Sequence, residues 1–121
     1  MAGEKLGFLV THAADDPEVA TLPFMIATAA MTMGVEPVVI FQGEGVRLGV
    51  KGFAETIHAD GLQPLESLLA PILEAGHEIM VCSPCVKLRG IEEADLRDGV
   101  YVGGAGKIVQ QMLECKNFVR Y

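Results

Sequence analysis

Short, continuous apolar runs recur along the chain and predict five buried strands. Each run is built mainly of aliphatic or aromatic residues and is bounded by glycine, proline or polar residues. Apolar character that does not alternate is typical of strands covered on both faces of a parallel sheet. The predicted strands are residues 5–11, 35–41, 78–82, 100–103 and 117–120.

Segments with helical spacing of apolar residues lie between these strands. Asp16 and Pro17 are typical of the first turn of a helix, and Gly34 is typical of a helix end. Leucine and isoleucine recur at helical spacing between Pro64 and Gly76, which predicts a second helix there. The first predicted helix spans residues 17–33, and two further helices are predicted at residues 84–89 and 105–115.

The first predicted helix is apolar on more than one side. One stripe contains Leu22, Met25, Ile26, Ala29 and Met33, and the other side carries Phe24, Ala27, Ala30 and Met31. A helix in the outer layer of so short a chain cannot bury both sides against its own sheet. We therefore expect one face of this helix to be a subunit interface.

The glycine-rich segment 43–61 predicts no regular framework element. Glycine occupies positions 43, 45, 49, 52 and 61, and Arg47 and Lys51 lie between them. Glycine weakens helices and strands because it loses the most conformational freedom on ordering. We expect a short helix and a mobile flap in this segment.

The alternation of strands and helices predicts the fold class. Short links between them require parallel pairing and right-handed crossovers, hence a three-layer α/β/α sandwich around a mainly parallel five-stranded sheet. We expect one domain over residues 1–121. Ligands of such sheets bind at the carboxyl ends of the strands. The residues that this rule brings to one edge are Thr11, His12, Gln42, Gly43, Cys82 and 103–106, with His77 on the opposite edge.

The composition is that of a globular, acidic protein. Hydrophobic residues make up 50% of the chain, and 16 acidic against 9 basic residues give a net charge of −7. This charge repels phosphate backbones and anionic lipid, so we expect neither nucleic acid nor membrane as a partner. The longest uncharged run, residues 19–35, is too short to span a bilayer, and the first residues lack the layout of a signal peptide. We expect a cytoplasmic protein.

Two of the three cysteines, Cys82 and Cys85, form a CxxC motif where a predicted strand passes into a helix. This position places both sulfurs near free helix N–H groups, with Lys87 and Arg89 nearby. We therefore expect a lowered pKa and a reactive thiolate at Cys82. Zinc is the weakest alternative, because no second CxxC or paired histidines supply the remaining ligands. Thiol–disulfide exchange and simple packing of two buried cysteines remain open.

Further candidates lie at the same predicted edge. We assign anion or substrate binding to Gly43, Arg89, Gly103 and Gly104, and a role as base for the thiolate to His12. The glycine-rich run 103–107 does not complete a phosphate loop, because Tyr101 and Ile108 occupy the positions of its first glycine and its hydroxyl residue.

Motifs across nearly the whole chain occur in an order that resembles one family. Cys82 ends a predicted strand, Arg89-Gly90 follows seven and eight positions later, and an acidic turn leads into the stretch 98–103. The stretch 41–46 follows the second strand, and a helix and a short strand close the chain. In this order and spacing the chain resembles the DsrE/DsrF-like sulfur-relay family.

The resemblance implies a small α/β protein that assembles into trimers or hexamers. It also implies that Cys82 carries sulfur as a persulfide between a sulfur-donor and a sulfur-acceptor protein. Attack by the thiolate on a sulfane sulfur, followed by transfer to an acceptor thiol, needs no metal or other cofactor. The relay branch has a single cysteine at this place, whereas Cys85 in this chain could attack a persulfide on Cys82 and release sulfide.

Two other classes of function stay open at this point. A thiol–disulfide oxidoreductase would use both Cys82 and Cys85. A non-catalytic oligomer would bind a small anion or a partner protein at the same edge and would retain its ligand when both cysteines are replaced by serine.

Overall fold

The computed structural model describes residues 3–121 and contains one five-stranded sheet. The strands are β1 Lys5–Val10, β2 Glu36–Phe41, β3 Ile79–Cys82, β4 Val100–Gly103 and β5 Asn117–Arg120. They lie in the order β4-β3-β2-β1-β5, and every pairing is parallel. The predicted fold class is therefore confirmed. Of the domain predicted over residues 1–121, residues 1 and 2 lie outside the described residues.

Four α-helices connect the strands, and local signals set their ends. The helices are α1 Pro17–Thr32, α2 Leu65–Glu74, α3 Ser83–Leu88 and α4 Ala105–Glu114. At the start of α1 the Asp16 carboxylate accepts a hydrogen bond from the Val19 N–H at 3.2 Å. After α1 the chain turns at Gly34 with a φ of 77°, a left-handed conformation that favours glycine.

The two faces of the sheet bury very different amounts of apolar surface. Successive side chains of a strand point to opposite faces. Phe8, Val39 and Phe41 point to the face covered by α1 and α2, where they belong to a large hydrophobic cluster. On the other face Ile40, Met80 and Cys82 form a small cluster with Ile108 of α4. One long helix therefore covers this second face.

Residues 43–61 form two 3-10 helices, Gly43–Gly49 and Ala54–Thr56, which confirms the short helix predicted there. They bury Val46, Leu48 and Ile57 almost completely, while most of residues 51–61 are exposed. The mobile flap stays a prediction. A side chain at Gly45 would collide with the backbone carbonyl of Val10. Close packing against the end of β1 thus accounts for this glycine, which the sequence pattern alone associated with mobility.

α1 is apolar on its buried side and on its exposed side. Phe24 and Ala27 are fully buried against the sheet, whereas Met25, Ile26 and Met33 are exposed. The exposed residues belong to the stripe that predicts a subunit interface, which remains a prediction. Within residues 3–121 no helix is long and apolar enough to cross a membrane.

Candidate functional site

The ends of β2 and β3 bring the cysteine motif next to the loop after β2. Phe41 pairs with Val81 in the parallel sheet, so Gln42 and Cys82 leave the two strands side by side. Cys82 pairs in turn with Gly103 of β4. The structure thus places three of the predicted site positions at one carboxyl edge, as expected from the topology.

Cys82 is the buried member of the pair. It is 6% exposed and packs against Ile40, Met80 and Ile108. The side-chain amide of Gln42 donates a hydrogen bond to its sulfur at 3.7 Å. Burial raises the pKa of the Cys82 thiol, and the neighbouring Cys85 thiol adds to the rise. The expectation of a lowered pKa at Cys82 is therefore wrong, because desolvation outweighs the hydrogen bonds to the sulfur.

Cys85 lies one turn further along α3 and is half-buried. The backbone N–H of Gly43 donates a hydrogen bond to the Cys85 sulfur at 3.3 Å. Gly43 has a φ of 54°, a conformation in which other residues are strained. The Cys85 side chain also packs against the small cluster that contains Cys82. The two thiols therefore form one site, and a fixed backbone donor faces the more accessible sulfur.

An ion-pair network joins the cysteine helix to the loop after β2. Nε of Arg89 donates to Glu44 at 2.7 Å, and Nε of Arg47 donates to the other oxygen of the same carboxylate at 2.8 Å. These two guanidinium groups lower the pKa of Glu44, Arg89 more than Arg47. Nη1 of Arg89 also donates to the carbonyl of Cys85 at 3.2 Å. Arg89, predicted to bind an anion, thus already has a carboxylate partner.

Sequence reasoning missed Glu44 as a member of the site. It lies 45 residues from Arg89, so no local spacing links the two side chains. The one available signal is its position directly after Gln42 and Gly43, at the carboxyl end of a buried strand. Through Arg89 and the Cys85 carbonyl, Glu44 anchors α3 beside the Gly43 N–H.

His12 lies at the same edge but pairs with a different group. Its Nδ1 lies 2.7 Å from an oxygen of Asp15, and the other oxygen accepts a hydrogen bond from the Ala13 N–H at 2.7 Å. The Ala13 N–H, together with His12, lowers the pKa of Asp15. Within residues 3–121 no hydrogen bond links His12 to either cysteine. Its role as a base is not supported by direct contact and stays a prediction.

The glycines predicted to bind an anion lie beside the cysteine motif. A side chain at Gly103 would collide with the sulfur of Met80, so this glycine permits close packing of β4 on β3. Gly104 precedes α4 and has open space around it. Gly43 already donates its N–H to Cys85. Anion binding by Gly43, Arg89, Gly103 and Gly104 remains a prediction.

The remaining candidates lie elsewhere or form no cluster. His77 is at the amino edge of the sheet, where it helps to line a cavity of about 400 Å³ with Lys5, Tyr101 and Lys107. Cys115 is a free, half-buried cysteine between α4 and β5, on the edge opposite to Cys82. In the part of the chain that the structure describes, no three histidine, cysteine or acidic side chains are grouped as metal ligands.

Comparisons with known proteins agree on the family and the fold. The sequence profile of the DsrE/DsrF-like family matches residues 4–121. An uncharacterized protein of Methanopyrus kandleri, MK0008, is 29% identical over 111 residues, which cover 92% of this chain and 88% of that protein. The crystal structure of the YchN protein from E. coli superposes with a TM-score of 0.78, at 15% identity and with 98% of this chain and 99% of that chain covered.

A further relative is much longer than this chain. The uncharacterized protein MJ0760 of Methanocaldococcus jannaschii is 29% identical over 102 residues, which cover 84% of this chain and 37% of that protein. The chain thus spans little more than a third of that relative. Because the family profile extends over nearly every residue that the structure describes, the chain belongs to the DsrE/DsrF-like family.

Proposed function

We propose that this protein is a sulfur-relay protein that carries sulfane sulfur as a persulfide on Cys82. The observation that carries the proposal is the pair of free thiols that pack in one cluster at the carboxyl edge, in a chain of the DsrE/DsrF-like family. Hydrogen-bond donors face both sulfurs, from Gln42 to Cys82 and from Gly43 to Cys85. Such donors stabilise the anionic sulfur on which thiol chemistry depends.

The net reaction transfers one sulfur atom without oxidation or reduction of the protein. A protein thiolate attacks the outer sulfur of a donor persulfide, R–S–SH, so that a new S–S bond forms and the donor leaves as the thiolate RS⁻. An acceptor thiol later attacks the outer sulfur of the protein persulfide and regenerates the cysteine. The reaction needs neither a metal nor another cofactor. His12 would serve as a base at the same edge.

Partners and assembly belong to the same proposal. A relay protein requires a sulfur-donor and a sulfur-acceptor protein, and we expect neither nucleic acid nor membrane among the partners. We propose a homo-oligomer, a trimer or a hexamer, in which the exposed Met25, Ile26 and Met33 of α1 are covered by another subunit. One domain and a cytoplasmic location complete the proposal.

A thiol–disulfide oxidoreductase is the second candidate function. The packing of Cys85 against the cluster that contains Cys82 favours it, because a CxxC pair held close together needs little rearrangement to form a disulfide. In that function both cysteines are required, and two hydrogens leave the protein with the electrons that an oxidant accepts.

Intact mass spectrometry separates these functions. The reduced protein is incubated with glutathione persulfide and freed of excess donor, as wild type, Cys82→Ser and Cys85→Ser. After a brief treatment with free thiol, the relay function predicts that wild type retains the mass of one additional sulfur atom and that Cys82→Ser does not. Loss of two hydrogens without added sulfur, abolished by either substitution, would instead identify a redox pair. If the mass of no variant changes, both kinds of thiol chemistry are refuted, and a binding module is the function that remains.

A further inference from the structure

We propose that a sulfur donor delivers its sulfane sulfur to Cys85 first, and that Cys85 then passes it to Cys82. This inference rests on the proposed function, because it assigns an order to the two thiols of the same site. It differs from the role that the sequence suggests for Cys85, which is to attack a persulfide already formed on Cys82.

The two sulfurs differ in their access to solvent. Cys82 is enclosed by Ile40, Met80 and Ile108, whereas Cys85 is half-buried and packs at the border between the large and the small cluster. A thiolate attacks a persulfide along the line of the S–S bond that breaks, so the donor needs free space in front of the attacking sulfur. A donor approaching from solvent therefore meets Cys85 before Cys82.

The surroundings of the two sulfurs also differ in how they treat negative charge. The Gly43 N–H donates to the Cys85 sulfur at 3.3 Å, and a backbone N–H keeps its proton at every pH of interest. The Cys82 sulfur accepts hydrogen bonds from the side-chain amide of Gln42 at 3.7 Å and from the backbone N–H of Cys85, but it is buried. Burial raises the pKa of the Cys82 thiol, which lowers its thiolate fraction at neutral pH. Cys85 is therefore favoured as the thiol that first attacks the sulfur donor.

The ion pair between Glu44 and Arg89 holds in place the Gly43 N–H, which donates the hydrogen bond to the Cys85 sulfur. Glu44 follows Gly43 in the chain, and Arg89 donates both to Glu44 and to the Cys85 carbonyl. This arrangement fixes the cysteine turn of α3 relative to the Gly43 N–H. A hydrogen-bond donor that already points at the thiolate needs no reorganisation during the attack.

Both steps balance in atoms and electrons. In the first, the Cys85 thiolate bonds to the outer sulfur of R–S–SH, the donor S–S bond breaks, and RS⁻ leaves and takes a proton from water. In the second, the Cys82 sulfur bonds to the outer sulfur of Cys85–S–SH, the S–S bond at Cys85 breaks, and the Cys82 proton moves to the Cys85 sulfur. Cys85 packs against the small cluster that contains Cys82, which places the two side chains within reach of this transfer. The products are Cys82–S–SH and Cys85–SH.

Loading kinetics test the order of the two thiols. All variants carry Cys115→Ser, which removes a free, half-buried thiol at the opposite edge and leaves only the pair. Each is mixed with glutathione persulfide, quenched with iodoacetamide at set times and weighed intact. Cys85→Ser is expected to load at least about tenfold more slowly, because the remaining Cys82 sulfur is enclosed by Ile40, Met80 and Ile108 and the donor cannot approach it in line. Cys82→Ser is expected to load at the parent rate, but to lose the sulfur when free thiol is added.

The outcomes distinguish this inference from the proposed function. If the parent retains sulfur and Cys85→Ser loads as fast as the parent, the order is refuted while the relay function stands. If the parent gains no sulfur, the proposed function itself fails.

A measurement on the unsubstituted protein guards against a variant that does not fold. Brief treatment of the native, reduced protein with iodoacetamide, followed by fragment-ion mapping, is expected to show Cys85 alkylated before Cys82. Alkylation of Cys82 first would refute the order independently of any substitution.

Discussion

The two faces of the sheet differ in what they supply. On the face of α1 and α2, strand residues such as Phe41 join the large cluster. The ring of Phe41 meets the ring of Phe24 of α1 edge to face, with centroids 6.0 Å apart. On the other face the small cluster consists of Ile40, Met80, Cys82 and Ile108. The first face supplies most of the apolar burial that stabilises the fold. The second buries the Cys82 thiol with little surrounding core.

Cys85 lies where the two faces meet, since it packs against both clusters. The difference between the faces teaches that a well-packed core can hold the strand ends in place while a thinly covered face leaves room for chemistry. Substitutions test this comparison, from the largest expected effect on stability to the smallest.

A matched pair of isoleucines measures the difference between the faces directly. Ile72 of α2 is 0% exposed on the first face, and Ile108 of α4 is 7% exposed on the second. We expect Ile72→Ala to lower the free energy of unfolding by about 4 kcal/mol and Ile108→Ala by about 2 kcal/mol, because the cost grows with the cavity that remains. Urea unfolding of both variants checks the difference.

Ile108→Ala carries a second expectation that Ile72→Ala does not share. Removal of the side chain that covers Cys82 exposes its sulfur, so alkylation of Cys82 in the native protein should become faster. Equal losses of stability in the two variants, or unchanged alkylation of Cys82, would contradict the comparison.

Glu44→Gln tests the border between the faces. The substitution removes the carboxylate shared by Arg47 and Arg89, and since that group is partly exposed we expect a loss of about 1 kcal/mol or less. Alkylation of Cys85 should slow, because α3 is no longer fixed beside the Gly43 N–H. Arg47→Gln is the control, since it leaves the bond between Arg89 and Glu44 intact.

The same carboxylate gives a pH dependence with a defined sign. Its pKa in the folded protein is lowered from the ordinary 4.5, so its stabilising contribution is present above that value. The contribution is lost as the pH falls below 4.5 and through the lowered pKa. The difference in urea midpoint between wild type and Glu44→Gln should therefore shrink in acid. A difference that grows in acid would show that the ion pairs do not stabilise the fold.

Ile26→Glu is expected to have the smallest effect on the folded chain and a large effect on assembly. Ile26 is 49% exposed on α1, so we expect the stability of the single chain to change by about 0.5 kcal/mol or less. A charge on a covered apolar face should dissociate an oligomer. Size-exclusion chromatography with light scattering compares it with wild type and with Glu18→Gln, an exposed control on the same helix. A monomeric wild type would refute the interface at α1.

The sequence predicted the sheet edge and its cysteines well for a local reason. Strand ends are marked by the change from apolar residues to glycine and polar residues, and parallel topology gathers those ends at one edge. Gln42, Gly43 and Cys82 were placed together by this rule alone. Asp15, the partner of His12, lies only three residues away, so local spacing alone is enough to predict this pairing.

The properties of the site were harder to predict because they depend on distant atoms. The direction of the Cys82 pKa shift follows from burial under Ile108, 26 positions further along the chain. The burial of Val46, Leu48 and Ile57 follows from the packing of their segment against β1 and α2, which glycine content does not reveal. The partner of Arg89 lies on another loop.

By itself the sequence determined the order of strands and helices, the parallel sheet and the edge at which the cysteines lie, because apolar spacing and helix-end residues act over a few positions. The tertiary structure decided which thiol is buried and which is more accessible. It also decided that Arg89 binds Glu44 and that the first half of the glycine-rich segment packs into the core. Desolvation and ion pairing depend on the atoms that surround a group in space, and only the folded chain brings those atoms together.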